Sequence, residues 1–275
     1  PFVLPLADGH DSAMVGGKAI NLARLINASF PVPDGFVVTT HAFRHARRSG
    51  QTLPSDVAEA IKAAYRNIGE PIVAVRSSAT AEDLDDASMA GQYETYLDLQ
   101  GSQPVLDAVV KCWESINSER VCAYLKEHDI PRQNVAMAVV VQQLVPAEKA
   151  GVLFTANPQT GSRNELLVEA SWGLGETVVS GMVQPDTLVL DRATGAVRSC
   201  VISDKHVWIE SGAHESRPVP QDKRQVGCLN SKEVLELWKL GLTVMDYFDS
   251  PQDLEWAIAD GKIYLLQSRS VTTLA

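Results

Sequence analysis

The chain has 275 residues, 45% of them hydrophobic and 21% charged, an ordinary globular composition with apolar material for one large core or two lobes. A formal net charge of −10 and a pI near 5.1 argue against a general binder of nucleic-acid backbones, whose affinity rests on clustered Lys and Arg, so any anion site is local. Cys112, Cys122, Cys200 and Cys228 form no C-x-x-C pair, which speaks against a zinc or redox centre and fits a reducing compartment. The longest apolar run, Val135 to Val145, is interrupted by Gln142 and Gln143 and falls short of the roughly 20 residues of a membrane span. The opening PFVLPLADGHD has no basic stretch and meets Asp8 early, unlike a secretory signal, so the expectation is a cytoplasmic protein.

In chain order, Gly17 to Asn27 carries Ile20, Leu22, Leu25 and Ile26 at near-helical spacing behind the pair Gly16-Gly17, which predicts a loop feeding a helix. Pro31 and Pro33 end it, and the β-branched run Gly35 to Thr40 predicts a strand. Helices are expected around 41–49 and 54–68, with Pro54 suited to a first turn. A buried strand, IVAV, then delivers Arg76 into the polar run SSATAED. From Ser102 to Glu127 an apolar stripe at helical spacing runs with a break near Asn117. Strands follow over NVAMAVVVQQLV, AGVLFTAN and NELLVEAS, then at 186–191, 197–203 and 206–210, before a Pro-containing loop at 211–225, a helix over 231–248 and a closing hairpin. This order predicts an α+β fold with mostly antiparallel sheets in two lobes, 1–100 and 101–275, with ligand expected in an interlobe cleft.

Three places offer chemistry. Val15-Gly16-Gly17-Lys18 sets a lysine and permissive glycines at a helix start, where N–H groups favour anions. It is no Walker A loop, because Ser12 stands where that motif needs Gly and Ala19 where it needs Ser or Thr. A plain glycine turn with a solvated Lys18 is the alternative. Arg76 among Ser77, Ser78 and Thr80 suits a phosphate clamp, the alternative being an ion pair with Glu82 or Asp83. The small-residue loop Ser88 to Gln92 suits backbone N–H contacts to phosphates.

The hairpin is the third place. A two-residue Asp260-Gly261 turn would pair Glu255 with Leu266 and separate the polar groups, whereas a three-residue loop pairs Glu255 with Leu265. The latter register puts Leu254, Trp256, Ile258, Tyr264 and Leu266 on one face and Glu255, Gln267 and Arg269 on the other, with Glu255 and Gln267 as diagonal neighbours able to share one ion. Oxygen ligands point to Mg or Mn, and a surface hairpin with scattered polar residues is the alternative.

Taken together, VGGKAINLARL (15–25), VPDGFVVTT (32–40), VRSSATAEDLDDASMAGQYET (75–95), AGVLFTANPQTG (150–161), EASWGLGETVVSG (169–181) and LEWAIADGKIYLLQSR (254–269) resemble the N-terminal nucleotide-binding domain of phosphoenolpyruvate synthases, shared by pyruvate phosphate dikinases and rifampin phosphotransferases. The blocks lie in order over nearly the whole chain. The resemblance implies an ATP-grasp-type fold that binds ATP and Mg. It implies that Lys18, Arg76 and Arg269 contact ATP phosphates and act in catalysis, and that Gly91 and Thr95 belong to the nucleotide-covering loop. It also implies that Gln142 lies on the strand facing the nucleotide and that Glu255 and Gln267 are the metal ligands. The glycines of GLGE (173–176) have no assigned role.

Two departures matter. The stretch between Lys18 and Arg76 is short for the family, and none of His10, His41, His45, His128, His206 or His214 sits in the Gly-rich T/S-S-H context of the family's phosphorylated histidine. The expected function is phosphoryl transfer from Mg-ATP to a histidine on a separate domain or partner. An ATP-dependent ligase component and a non-catalytic nucleotide-binding module are the alternatives.

Overall fold

The computed structural model describes residues 1–80, 83–84, 87–88, 94–131, 135–213 and 215–271. The chain divides into two compact units, Pro1–Leu144 and Val145–Ala275.

The first unit contains, in order, β1 (Val3–Pro5), α1 (Ser12–Asn27), β2 (Gly35–Val38), α2 (Thr40–Ser49), α3 (Ser55–Asn67), β3 (Val73–Ala79), the short strands β4 (Asp83–Leu84) and β5 (Ala87–Ser88), β6 (Thr95–Leu99), α4 (Ser102–Glu114), α5 (Glu119–Glu127) and β7 (Met137–Gln143). A five-stranded sheet runs β1-β2-β7-β3-β6 with every neighbour antiparallel. Its central strands are the β-branched runs GFVV, VAV and MAVVV, buried on both faces as their lack of alternation requires. On one face Phe36, Val38, Val73, Val75, Val139 and Val141 pack with residues of α2 to α5. On the other, Val37, Ala138 and Val140 pack with Val15, Ala19 and Leu22 of α1.

The division after Leu144 corrects the boundary expected near residue 100. Val105, Val109 and Trp113 of α4 and Val121 and Leu125 of α5 belong to the first core, and β7 is the middle strand of its sheet. The helical stripe expected over 102–127 breaks at the 3-10 turn Ser115–Asn117, as the sequence suggested.

The second unit contains β8 (Lys149–Phe154), β9 (Glu165–Trp172), α6 (Glu176–Val179), β10 (Asp186–Asp191), β11 (Val197–Val201), β12 (Val207–Trp208), β13 (Arg217–Pro218), α7 (Ser231–Phe248), β14 (Gln252–Ala259) and β15 (Lys262–Ser270). A six-stranded antiparallel sheet runs β11-β10-β9-β8-β14-β15. α7 starts on a capping box, in which the Asn230 side chain accepts from the Glu233 N–H and the Glu233 carboxylate accepts from the Asn230 N–H. It lies on one face of the sheet, close enough at Gly241 that an added Cβ would come within 2.8 Å of a Leu153 methyl. The opposite face therefore carries Val152, Glu169, Glu255 and Gln267, which are joined in one cross-strand row. Among the described residues no helix is long and apolar enough to cross a membrane.

Candidate functional site

In the first unit the segment around Lys18 is not a loop before a helix. α1 begins at Ser12, capped by Asp11 accepting from the Ala13 N–H at 2.9 Å, and breaks inside at Gly16, whose φ of 75° and ψ of 173° are non-helical. Ser78 of β3 fills the break: its hydroxyl donates to the Val15 carbonyl at 2.8 Å and accepts from the Ala19 N–H at 3.2 Å. The approach is so close that a Cβ on Gly16 would lie 2.3 Å from the Ser78 carbonyl oxygen. Glycine is needed here for both its left-handed φ and its missing Cβ. The contact fixes Lys18, two residues past the break, to the strand that carries Arg76.

Arg76 lies on β3 directly opposite Thr95 of β6 and Val140 of β7. Directly opposed residues share a face, and Val140 packs with α1, so Arg76 and Thr95 lie on the α1 side of the sheet. Gln142, two residues along β7, falls on the same side; it is buried and its side-chain amide donates to the Pro33 carbonyl at 3.4 Å. The first unit thus gathers Lys18, Arg76, Thr95 and Gln142 on one side of its sheet. The hydroxyls around Arg76 are engaged elsewhere: Ser77 donates to Glu94, Ser78 to Val15 and Thr80 to Ala136, all at backbone carbonyls. Among the described side chains of that run, the Arg76 guanidinium is the phosphate-binding candidate. Gly91, Glu82 and the side chains of Asp83 and Ser88 lie outside the described residues, as does the rest of the Ser88 to Gln92 loop.

In the second unit the hairpin joins Glu255 to Gln267 by a different register from the one expected. The turn is the two-residue Asp260-Gly261, with φ of 49° and 68° respectively, and Ala259 pairs with Lys262. Two consecutive positive φ values make a turn whose twist matches the flanking strands. The pairing runs Ile258 to Ile263, Ala257 to Tyr264 and Trp256 to Leu265, then shifts, so that Glu255 stands directly opposite Gln267 with Leu266 as the extra bulge residue. The apolar face therefore carries Ile263 and Leu265 in place of the expected Tyr264 and Leu266. Glu255 and Gln267 become direct neighbours, with Cβ atoms about 4.5–5.5 Å apart.

Asp253 pairs directly with Arg269 on the same face, and sequence reasoning missed it. Its Oδ2 accepts from Arg269 Nε at 2.7 Å and contacts Nη2 at 2.6 Å. The signal was available: D-x-E in one strand facing Q-x-R in the next places two complementary pairs on one face when the period is two. Burial pushes the Asp253 carboxyl above its ordinary value, Arg269 pulls it back and Glu255 adds to the rise. Burial also raises the Glu169 carboxyl, with Asp253 contributing. This face is therefore a carboxylate-rich surface that gains from a cation. Glu255 and Gln267 offer oxygen donors at a spacing that fits one hard divalent ion. Among the described residues no group of three or more His, Cys, Asp or Glu is arranged around a metal position.

Residues 49–275 match the family described as "Pyruvate phosphate dikinase, AMP/ATP-binding domain". A probable phosphoenolpyruvate synthase of Methanothermobacter thermautotrophicus is 38% identical over 96% of this chain and 45% of its own length. The phosphoenolpyruvate synthase of Pyrococcus furiosus is 35% identical over 96% of this chain and 43% of its own. A rifampicin phosphotransferase of a Streptomyces species is 36% identical over 97% of this chain and 35% of its own. The chain thus spans less than half the length of these relatives. Among solved structures, D-alanine–D-alanine ligase from Bacillus anthracis complexed with ATP aligns over 98% of this chain and 58% of that one, at 10% identity and a TM-score of 0.40, too distant a likeness to carry an argument. With a family match over most of its length and the expected sequence blocks in order, this chain belongs to the pyruvate phosphate dikinase AMP/ATP-binding domain family.

Proposed function

We propose that this chain binds Mg-ATP and passes a phosphoryl group to a histidine on a separate domain or partner, in a phosphoenolpyruvate synthase-like or antibiotic phosphotransferase-like system. The observation that supports it most is the direct pairing of Glu255 with Gln267 beside the Asp253–Arg269 pair on one sheet face. In this reading Glu255 and Gln267 would hold the cation through their side-chain oxygens. The bound metal supplies charge neutralisation of the phosphates. Lys18, Arg76 and Arg269 neutralise the non-bridging oxygens as charge develops, while Thr95, on β6 directly opposite Arg76, and Gln142 contact the nucleotide. Positioning and electrostatics carry such transfers, with little covalent work left to the protein.

The relatives' length and the absence of a histidine in a Gly-rich hydroxyl-containing context both support an acceptor outside this sequence. The test is to incubate the chain with radioactive ATP, with and without a phosphohistidine domain from a related phosphoenolpyruvate synthase. Acid-labile, base-stable label is expected on the added domain only, and ATP labelled at different phosphates reports which one moves. Label on a histidine of this chain without a partner would contradict the proposal.

A further inference from the structure

Arg269 is held before any ligand arrives. Its side chain is 35% exposed, while the Asp253 side chain that grips it is 8% exposed and lies directly across the strand pair. A single carboxylate oxygen, Oδ2, engages the Nε and Nη2 edge of the guanidinium. A guanidinium has five N–H donors in a rigid planar fork, so gripping one edge fixes the direction of the other. The grip sits on a rigid part of the sheet. β14 is an inner strand between β8 and β15, and the neighbouring Gln252 is locked by accepting from the Ser268 hydroxyl at 2.8 Å while its amide donates to the Ser250 hydroxyl at 2.9 Å.

The placement also carries an electrostatic cost. Asp253 shares its face with Glu255, and an additional negative charge beside a site for a triphosphate weakens binding unless it does something else there. We propose that Asp253 is a positioning residue: it holds one edge of Arg269 so that the opposite edge is presented, already ordered, to the phosphates of ATP. This rests on the proposed role of Arg269 toward ATP. An ordered arginine forfeits less side-chain freedom on binding than a mobile one, and for one long side chain that difference is worth about twofold to tenfold in affinity.

The two readings of Asp253 predict opposite signs. If it positions Arg269, Asp253→Asn weakens Mg-ATP binding by about twofold to tenfold in calorimetry. If it is a bystander charge, the same change leaves affinity unchanged or tightens it, because a repulsive carboxylate is removed. The comparison is repeated in an Arg269→Ala background, where the proposal expects no further weakening from Asp253→Asn. An Arg269→Ala variant with undiminished ATP affinity would remove the underlying reading of the site. A weakened Arg269→Ala beside an unweakened Asp253→Asn would overturn the positioning role alone. A second measurement uses the unaltered chain: in ATP-free protein the Arg269 Nε–H resonance, assigned by its loss in Arg269→Lys, is expected to be protected from solvent exchange. Rapid exchange at that N–H before ATP is added would contradict the proposal whatever the variants do.

Discussion

At Gly16 a left-handed backbone and a close backbone neighbour coincide, as they also do at Gly173, whose added Cβ would lie 2.3 Å from the Ile209 carbonyl oxygen. The φ of Gly16 is 75° and a Cβ there would lie 2.3 Å from the Ser78 carbonyl oxygen, whereas Gly50 has a φ of 70° with nothing within 4 Å. Strain at a left-handed position costs about 1–3 kcal/mol, and overpacking against backbone adds a term of similar size. Gly16→Ala is therefore expected to destabilise the protein more than Gly50→Ala does, with chemical denaturation of the two variants as the check. Equal losses would mean that Ser78 gives way and that the break in α1 is not rigidly held. The sequence revealed that glycines and a lysine stand together, since Gly-Gly-Lys is visible as letters. It hid the partner, because Ser78 lies some sixty residues away and nothing local marks its hydroxyl as the plug between Val15 and Ala19.

Among the elements, the terminal hairpin shows what can and cannot be read in advance. The Asp-Gly pair is a strong local signal for a two-residue turn, and the structure uses that turn. A regular hairpin on it would set Glu255 opposite Leu266, which is why the longer loop was expected. The bulge at Leu266 reconciles the two. No residue type encodes such a bulge, and Leu266 looks like any other strand leucine; its position follows from which side chains the sheet must bury. In β10, Asp186 accepts from the N–H groups of Ser203 and Cys228 and pairs with the fully buried Lys205, so one carboxylate fastens the segment from Ser203 to Cys228 to the sheet. None of these residues stood out in the sequence, because a lysine is normally a surface residue and its burial is decided by tertiary packing. Removing one partner of a buried ion pair strands the other charge at a cost of about 3–5 kcal/mol. Asp186→Ala is expected to lower stability by that order in denaturant titration, and a loss below about 1 kcal/mol would show that Lys205 escapes to water.

For the whole molecule, the α+β class and the antiparallel sheets were legible from hydrophobic runs and turn residues, while the place where the chain divides was not. α4 and α5 are amphipathic helices whose pattern fits either core, and only the seat of β7 between β2 and β3 assigns them to the first. The candidate residues sort by unit, Lys18, Arg76, Thr95 and Gln142 in the first and Glu255, Gln267 and Arg269 in the second. The central claim of the proposed function is that the cation ties ATP affinity to Glu255. The most direct measurement is calorimetry of ATP binding with and without millimolar Mg, on the unaltered chain and on Glu255→Ala. The account predicts that Mg strengthens ATP binding to the unaltered chain and that Glu255→Ala, still folded by circular dichroism, loses that strengthening. ATP binding that is absent, or a Mg dependence that survives in Glu255→Ala, would contradict it.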